Sequence, residues 1–358
     1  MLSQEEKSRY SKQTILPEIG IEGQERLKNA KVLVIGAGGL GCPILQYLTA
    51  AGVGTIGIAD GDVVNISNLQ RQVLYTEAEI GEKKVDVANH KLKALNPNVT
   101  FETYPFFIDS SNALDIISKY DIVVDGSDNF AARYLVNDAC IILNKPMVFG
   151  AIYKFEGQVS VFNYQDGPTY RCIFPEAPGE GESPNCADIG VVATLPGIIG
   201  TIQANEVMKI ITQTGEVISG KLLTMNTLDI NVSFFSFKAI PENKRVIDLR
   251  SSEYNCGINP AGIKEITYSE LKDILAQEDD IQLIDVREYE EYQIDNIGGL
   301  NIPLSQFKHR FSEIDAHRKV VLYCSSGVRG SNFGKQLLQK GYRNVFNLKN
   351  GINELIIS

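Results

Sequence analysis

The 358-residue chain is predicted to be an α/β protein, with a doubly wound, largely parallel sheet followed by a smaller α/β unit. Three observations lead to this prediction. Short apolar runs alternate with helix-like stretches through residue 150, which is typical of strands joined by crossover helices. Residues 267–358 have a second alternation of the same kind. A chain of this length also exceeds what one hydrophobic core usually supports.

The first half of the chain supplies the parallel strands. The predicted strands there are Lys31–Ile35, Thr55–Ala59, Val99–Tyr104, Asp121–Val124 and Pro146–Gly150. From Gly157 onward the pattern changes to paired runs around one long helix near Gly197–Thr212, which is typical of antiparallel strands. These runs are Gln158–Tyr164, Lys221–Met225 and Val232–Phe237, and they form either a second sheet or an extension of the first.

A glycine-rich turn follows the first predicted strand and indicates a nucleotide pocket. Glycines at such spacings permit a tight turn and let backbone N–H groups approach a phosphate at a helix N-terminus. Asp60 ends the next strand about 20 residues further on, the interval at which a carboxylate binds a ribose hydroxyl. The candidate nucleotide-binding residues of this turn are Gly36, Gly38, Gly39 and Gly41.

The residues that follow favour a triphosphate over a dinucleotide. Arg71 and Lys84 can spread positive charge over phosphate oxygens, and Asp128, just beyond an apolar run, can hold Mg²⁺. Hydride transfer requires none of these groups. Each residue also has a structural interpretation: Asp60 could cap a turn, Arg71 could be a solvated surface charge, and Asp128-Asn129 could cap the helix that starts near residue 130.

The motifs described above, and their order along residues 5–240, closely resemble those of the MoeB/ThiF branch of the ubiquitin-activating-type adenylyltransferases. The resemblance implies a Rossmann-like domain in which the C-terminal glycine carboxylate of a ubiquitin-like sulfur carrier, ending in Gly-Gly, attacks the α-phosphate of ATP. The nucleotide contacts that it implies are Gly39, Asp60, Ser67, Asn68, Arg71, Lys84, Asp128 and Asn129.

Lys12 departs from the pattern of these relatives. Close relatives can use an arginine at this place to reach the triphosphate of a neighbouring subunit, and lysine keeps the charge without the bidentate fork. If Lys12 acts in this way, the protein is at least a dimer, and we expect a homodimer. An ordinary solvated lysine is the alternative interpretation.

The C-terminal unit has a cysteine at the end of an apolar run. Cys324 opens a six-residue loop that closes at Arg329 and leads into a helix-like stretch, so backbone N–H groups and the arginine favour the thiolate. With Asp285-Val286-Arg287-Glu288, this loop resembles a small α/β rhodanese domain, which implies a persulfide on Cys324. Four residues between Cys324 and Arg329 suit a sulfur atom better than a phosphate. A buried structural cysteine in an inactive module is the alternative.

The resemblance also bears on the other cysteines. It places Cys186, in a polar loop, where the family has a cysteine able to link covalently with the activated carrier; an unreactive loop thiol is the alternative. The family often holds a structural zinc with two Cys-x-x-Cys pairs, but Thr169 and Glu253 replace the first cysteine of each pair. We therefore expect no structural zinc. Cys42 and Cys140 are predicted to be core residues.

Composition narrows the function classes. A net charge of −10 without a basic, aromatic-rich cluster disfavours nucleic acid as a partner. We expect neither a signal peptide nor a membrane span, and six scattered cysteines suit a reducing cytoplasm. Two rival functions are an NAD-dependent oxidoreductase fused to a sulfurtransferase module, and a noncatalytic carrier-binding scaffold.

The predicted organisation is an adenylyltransferase domain at 1–245, a linker at 246–266 and a rhodanese-like domain at 267–358. We expect adenylation of the carrier, then sulfur transfer from the Cys324 persulfide to give a thiocarboxylate. The sulfur comes from an external donor such as a cysteine desulfurase. The sequence leaves open the carrier and its pathway, and the order in which Cys186 and Cys324 act.

Overall fold

The computed structural model describes residues 1–176, 190–249, 263–277 and 281–352. It divides into two compact units, Met1–Cys256 and Gly257–Ser358. No helix among the described residues is both long and apolar enough to cross a membrane.

The first unit contains one eight-stranded sheet with the strand order β3-β2-β1-β4-β5-β6-β7-β8. Strands β1 to β5 are parallel, and β5 to β8 are antiparallel. The paired runs after residue 157 therefore extend the first sheet. The strands are β1 (Lys31–Ile35), β2 (Thr55–Ala59), β3 (Thr100–Tyr104), β4 (Ile122–Asp125), β5 (Met147–Tyr153), β6 (Glu156–Phe162), β7 (Lys221–Asn226) and β8 (Asn231–Ser236).

Helices connect and cover these strands. They are α1 (Gln4–Arg9), α2 (Ser11–Thr14), α3 (Gly20–Asn29), α4 (Gly41–Ala51), α5 (Lys84–Leu95), α6 (Ala113–Ile117), α7 (Phe130–Ile142) and α8 (Thr194–Thr212). Alternate side chains of β1 enter two different cores: Val32 and Val34 pack with residues of α4 and α8, and Leu33 and Ile35 with residues of α6 and α7. Burial on both faces explains why the four residues after the exposed Lys31 are all apolar.

Helix α8 fixes the position of the strand ends that matter for the site. The side chain of Gln203 is completely buried, and its Nε2 donates hydrogen bonds to the backbone oxygens of Asp125 (2.8 Å) and Val148 (3.3 Å). One amide thereby ties α8 to both β4 and β5. Because the first five strands are parallel, the residues that follow β1, β2 and β4 meet at one edge of the sheet.

The second unit is a parallel five-stranded sheet with the order β11-β10-β12-β13-β9. Its strands are β9 (Lys264–Ile266), β10 (Ile281–Asp285), β11 (Leu300–Asn301), β12 (Lys319–Tyr323) and β13 (Val345–Leu348), and its helices are α9 (Tyr268–Gln277), α10 (Tyr289–Ile294), α11 (Phe307–Arg310) and α12 (Val328–Gln339). Strand β9 falls within the last residues of the predicted linker. Three residues, two of them charged, are too few to carry a strand pattern; pairing with β13 makes them a strand.

Candidate functional site

The glycine turn between β1 and α4 depends on close backbone approaches. Gly36 has a φ of +90°, and a Cβ there would lie 2.6 Å from the backbone oxygen of Gly126. A Cβ on Gly41 would lie 2.0 Å from the oxygen of Gly36 itself. Both positions therefore exclude any side chain, and they hold the turn against the loop that follows β4.

Asp60 joins the end of β2 to this turn. One carboxylate oxygen accepts the N–H of Ala37 at 2.7 Å, and the other accepts the N–H of Asp62 at the same distance. The residue is buried, and burial raises the pKa of its carboxyl group although Lys84 opposes the shift. These contacts match the turn-capping role given above as the alternative; a ribose contact by Asp60 remains a prediction.

Lys84 begins α5 and is almost completely buried, with 4% of its side chain exposed. Its ammonium group lies 2.9 Å from the carboxylate of Asp62, which is itself more than half exposed. The structure therefore places a buried cation and a solvent-facing carboxylate beside Asp60. A phosphate that reaches Lys84 has to share the ammonium group with Asp62.

The segment after β2 folds back over the glycine turn. Asn65 caps a short 3-10 helix by accepting the N–H and the hydroxyl of Ser67, both at 2.9 Å. The guanidinium group of Arg71 donates to the backbone oxygen of Ser67 at 3.2 Å. A Cβ on Gly39 would lie 3.7 Å from Cδ of Arg71, so the arginine stem runs along the turn. Ser67, Arg71 and Gly39 are thus brought together, and their contacts with a nucleotide remain predictions.

Sequence analysis did not single out Gln72, which covers the neighbouring glycine. A Cβ on Gly38 would lie 3.5 Å from Nε2 of Gln72. The residue is only 4% exposed, and its Oε1 is buried without a hydrogen-bond partner among the described residues. A buried amide with an unused oxygen beside the glycine turn is a candidate ligand group. Its only sequence signal is its position next to Arg71.

Asp128 and Asn129 follow β4 and have different environments. The side chain of Asn129 accepts the N–H of Ala132 at 2.8 Å, so it is the N-cap of α7, the structural role given as its alternative. Asp128 is exposed, and its carboxylate makes no hydrogen bond or ion pair with a described residue. The cap therefore fixes the start of α7 while leaving the neighbouring carboxylate available for a ligand.

Asp125, at the end of β4, is a second residue that sequence analysis missed. It is fully buried, and its Oδ1 accepts both the N–H (3.0 Å) and the hydroxyl (2.6 Å) of Ser127. Burial raises the pKa of this carboxyl group against the opposing charge of Arg133. These bonds shape the turn that presents Asp128. The first acid of Asp-Gly-Ser-Asp-Asn, at a strand end, was the available signal.

Lys12 lies away from these residues within its own chain. It is exposed on α2, whose Gln13 donates to the backbone oxygen of Ala51 at the C-terminal end of α4. The glycine turn lies at the opposite end of this 11-residue helix, about 16 Å away at 1.5 Å per residue. A contact of Lys12 with a nucleotide therefore requires a second copy of the chain, and it remains a prediction.

In the second unit, Cys324 follows β12 directly and is fully buried. Its Sγ accepts the N–H of Gly327 at 3.1 Å, and Gly327 has a φ of +87° as the N-cap of α12. The loop therefore presents one backbone N–H to the sulfur, and a persulfide on Cys324 remains a prediction. Ile352 closes the far side by donating its N–H to the backbone oxygen of Cys324 at 2.9 Å.

The sequence predicts that the charge of Arg329 favours the Cys324 thiolate, but in the structure Arg329 is paired with Glu291. Its two terminal nitrogens bind the two carboxylate oxygens of Glu291 at 2.5 and 2.8 Å, and one of them also donates to the hydroxyl of Ser325 at 3.2 Å. Burial raises the pKa of Glu291, but the bonds from Arg329 outweigh burial and lower it. A bidentate ion pair thus neutralises the loop arginine, a partnership that loop sequence alone does not reveal.

The zinc-related residues are partly described. Cys186, Glu253 and Cys256 lie outside the described residues, so the roles of the first two remain predictions. The Sγ of Cys172 accepts bonds from the N–H of Thr169 (3.4 Å), the N–H of Ile240 (3.3 Å) and the amide of Asn243 (3.9 Å). It also shares a hydrogen bond with the hydroxyl of Thr169 at 3.4 Å. Within 1–176, 190–249, 263–277 and 281–352, no three His, Cys, Asp or Glu residues are placed to hold a metal ion.

Cys42 and Cys140 are buried in the two cores of the first unit, as predicted. Burial raises the pKa of the Cys42 thiol to about 12 and raises that of Cys140 as well. Both therefore behave as small apolar residues and have no thiolate to offer.

Comparison with known proteins agrees with this architecture. Residues 10–246 match the ThiF family and residues 267–357 match the rhodanese-like domain. The probable adenylyltransferase/sulfurtransferase MoeZ of Mycobacterium tuberculosis is 41% identical, over 98% of this chain and 93% of its own. The sulfur carrier protein adenylyltransferase of Thermus thermophilus is 53% identical, over 63% of this chain and 86% of its own.

The adenylyltransferase and sulfurtransferase MOCS3 of Culex quinquefasciatus is 42% identical, over 92% of this chain and 70% of its own. Among solved structures, E. coli MccB with MccA-N7isoASN shares the fold, with a TM-score of 0.60 at 23% identity over 69% of this chain and 75% of that one. The chain therefore belongs to the ThiF family, an ATP-using family of adenylyltransferases, and it carries a rhodanese-like sulfurtransferase unit at its C-terminal end.

Proposed function

We propose that the first unit uses ATP to adenylate the C-terminal glycine of a ubiquitin-like sulfur carrier ending in Gly-Gly, and that Cys324 supplies the sulfur for a thiocarboxylate. The proposal is supported by four features at one sheet edge: a glycine turn, the covering Arg71, the buried Lys84 and Asp128. The carboxylate of Asp128 has no partner in the part of the chain that the structure describes. The name of the Thermus thermophilus relative supports a sulfur carrier as substrate.

Adenylation requires charge stabilisation more than covalent chemistry. An oxygen of the carrier carboxylate forms a bond to the α-phosphorus, the bond from that phosphorus to the bridging oxygen breaks, and pyrophosphate leaves with the electron pair. Arg71 and Lys84 offset the negative charge that accumulates on the phosphate oxygens. The backbone N–H groups of the glycine turn contribute in the same direction.

The donor set at Asp128 fits Mg²⁺. The ion prefers carboxylate oxygens, and this carboxylate is exposed and without a partner among the described residues. When bound, Mg²⁺ neutralises phosphate charge. Asp125 supports this function by holding Ser127, and therefore the turn that carries Asp128.

Sulfur transfer follows in two steps. The outer sulfur of a Cys324 persulfide attacks the carbonyl carbon of the acyl-adenylate, the carbon–oxygen bond to AMP breaks, and AMP leaves. The thiolate of Cys186 then attacks Sγ of Cys324, which breaks the sulfur–sulfur bond and releases the carrier thiocarboxylate. The resulting Cys186–Cys324 disulfide is reopened by a thiol reductant. An external persulfide donor, such as a cysteine desulfurase, reloads Cys324, and we expect the working form to be a homodimer.

Pyrophosphate exchange tests whether the first unit alone carries out adenylation and Cys324 acts only in sulfur transfer. With ATP, Mg²⁺ and a panel of purified ubiquitin-like carriers ending in Gly-Gly, Asp128→Ala is expected to abolish carrier-dependent exchange. Cys324→Ala and the exposed acidic control Asp115→Ala are expected to leave it nearly intact. Equal loss in Asp128→Ala and Cys324→Ala would refute the assignment. Calorimetry that detects NAD binding but no ATP binding would favour an oxidoreductase instead.

A further inference from the structure

We propose that Glu291 sets the sulfur-donor selectivity of the Cys324 loop, so that the loop takes sulfur from donors with a single negative charge and discriminates against dianionic donors such as thiosulfate. The inference rests on the sulfur-transfer step proposed above. It assigns a positioning role to a residue of α10, outside the loop itself.

Glu291 orients the arginine of the loop through direct hydrogen bonds. Both of its carboxylate oxygens bind Arg329, and Oε1 also accepts the hydroxyl of Ser325 at 3.3 Å. Ser325 in turn accepts a bond from Arg329, so three side chains form a closed set of hydrogen bonds beside the cysteine. An arginine held by a bidentate carboxylate in this way has its terminal nitrogens turned toward that carboxylate.

The charge balance follows from these contacts. Arg329 is the one charged side chain among residues 324–329, and its guanidinium group is paired with the carboxylate of Glu291. Another cation of this unit, Arg287, is buried and pairs with both Asp285 and Asp295. What the loop offers an anion is backbone: the N–H groups of Ser325 and Ser326 donate no hydrogen bond to any described residue. Neutral N–H groups suffice for one charge on sulfur but compensate a dianion poorly.

The two classes of sulfur donor react with Cys324 in the same way but carry different charges. With thiosulfate, the Cys324 thiolate bonds to the outer sulfur, the sulfur–sulfur bond breaks and sulfite leaves as a dianion. With methanethiosulfonate, in which a methyl group replaces one oxygen, the same bond breaks and methanesulfinate leaves as a monoanion. Both reactions yield the Cys324 persulfide, and cyanide then removes its outer sulfur as thiocyanate and regenerates the thiolate.

The test measures thiocyanate formation by the full chain with each donor and compares the ratio of the two kcat/KM values. The wild type is expected to favour methanethiosulfonate. Glu291→Gln, which is isosteric and uncharged, is expected to shift the ratio toward thiosulfate by about tenfold, because it removes one negative charge from beside the loop. Glu291→Asp, which keeps the charge, and Glu290→Gln, an exposed neighbour on α10, are expected to retain the wild-type preference.

Three outcomes would overturn the proposal: a wild type that prefers thiosulfate, a Glu291→Gln ratio equal to the wild-type ratio, or equal losses with both donors, which indicate a structural role alone. Thermal melts confirm that each variant is folded. Cys324→Ser tests the sulfur-transfer step separately from donor selectivity. If that variant still forms thiocyanate with either donor, the sulfur-transfer step itself fails, whereas a changed or unchanged ratio in Glu291→Gln bears on selectivity alone.

Discussion

Nε of Arg133 lies 3.8 Å from Oδ2 of Asp125, and both atoms are buried without a hydrogen bond to any described residue. The pair is held apart by other bonds: Asp125 binds Ser127, and a terminal nitrogen of Arg133 donates to the backbone oxygen of Ser127 at 3.2 Å. Two opposite charges are therefore buried together around the turn that carries Asp128. Removing one of them leaves the other uncompensated.

This pair predicts a non-additive effect on stability. Asp125→Asn and Arg133→Met are each expected to lower the free energy of unfolding by about 3–5 kcal/mol, and the double variant by less than the sum. Urea denaturation of the four proteins measures the coupling. Losses that simply add would show that the two charges do not sense one another.

Gln72→Glu is expected to weaken ATP binding at least tenfold, or by about 1.4 kcal/mol, because it sets a negative charge against the phosphates beside Gly38. Calorimetric titration with ATP and Mg²⁺ measures the loss. Gln70→Glu, at an exposed position in the same segment, is the matched control. If Gln72→Glu binds ATP like the wild type, Gln72 only fills space over the turn.

Asn129→Ala is expected to lower the free energy of unfolding by about 1 kcal/mol, because it removes the N-cap of α7. Asn129→Ser, which can still accept the N–H of Ala132, is expected to restore most of this loss. ATP affinity is expected to follow the cap, falling in the alanine variant and recovering in the serine variant. An affinity that stays low in the serine variant would instead indicate a direct nucleotide contact by the amide.

Cys172 predicts a pH-dependent contribution to stability. Burial raises the pKa of its thiol, but hydrogen bonds from Thr169, Ile240 and Asn243 outweigh burial and lower it. A lowered pKa in the folded state means that the stabilisation is complete above the ordinary value of about 8.5 and is lost as the pH falls through the lowered one. The wild type is therefore expected to gain stability relative to Cys172→Ser between pH 7 and 9. Denaturation midpoints at both values check this, and a constant difference would contradict it.

Much of the fold was predictable because its signals are local. Continuous apolar runs such as 32–35 belong to strands buried on both faces, and the glycine spacing at residues 36–41 reflects backbone contacts that no side chain allows. The choice between the two alternatives for β6 to β8, a second sheet or an extension of the first, was not predictable, since antiparallel pairing has the same pattern in either case. Strand β9 was too short to carry a pattern at all.

The sequence by itself determined the chemistry available to this protein: a glycine turn, Arg71, Lys84, Asp128 and a cysteine loop, all carried by short motifs with spacings set by backbone geometry. The tertiary structure decided which of these charges are paired. Lys84 meets Asp62, and Arg329 meets Glu291 from another helix. Such pairs join residues distant along the chain, and the Coulomb energy between them depends on separation in space, which no local pattern encodes.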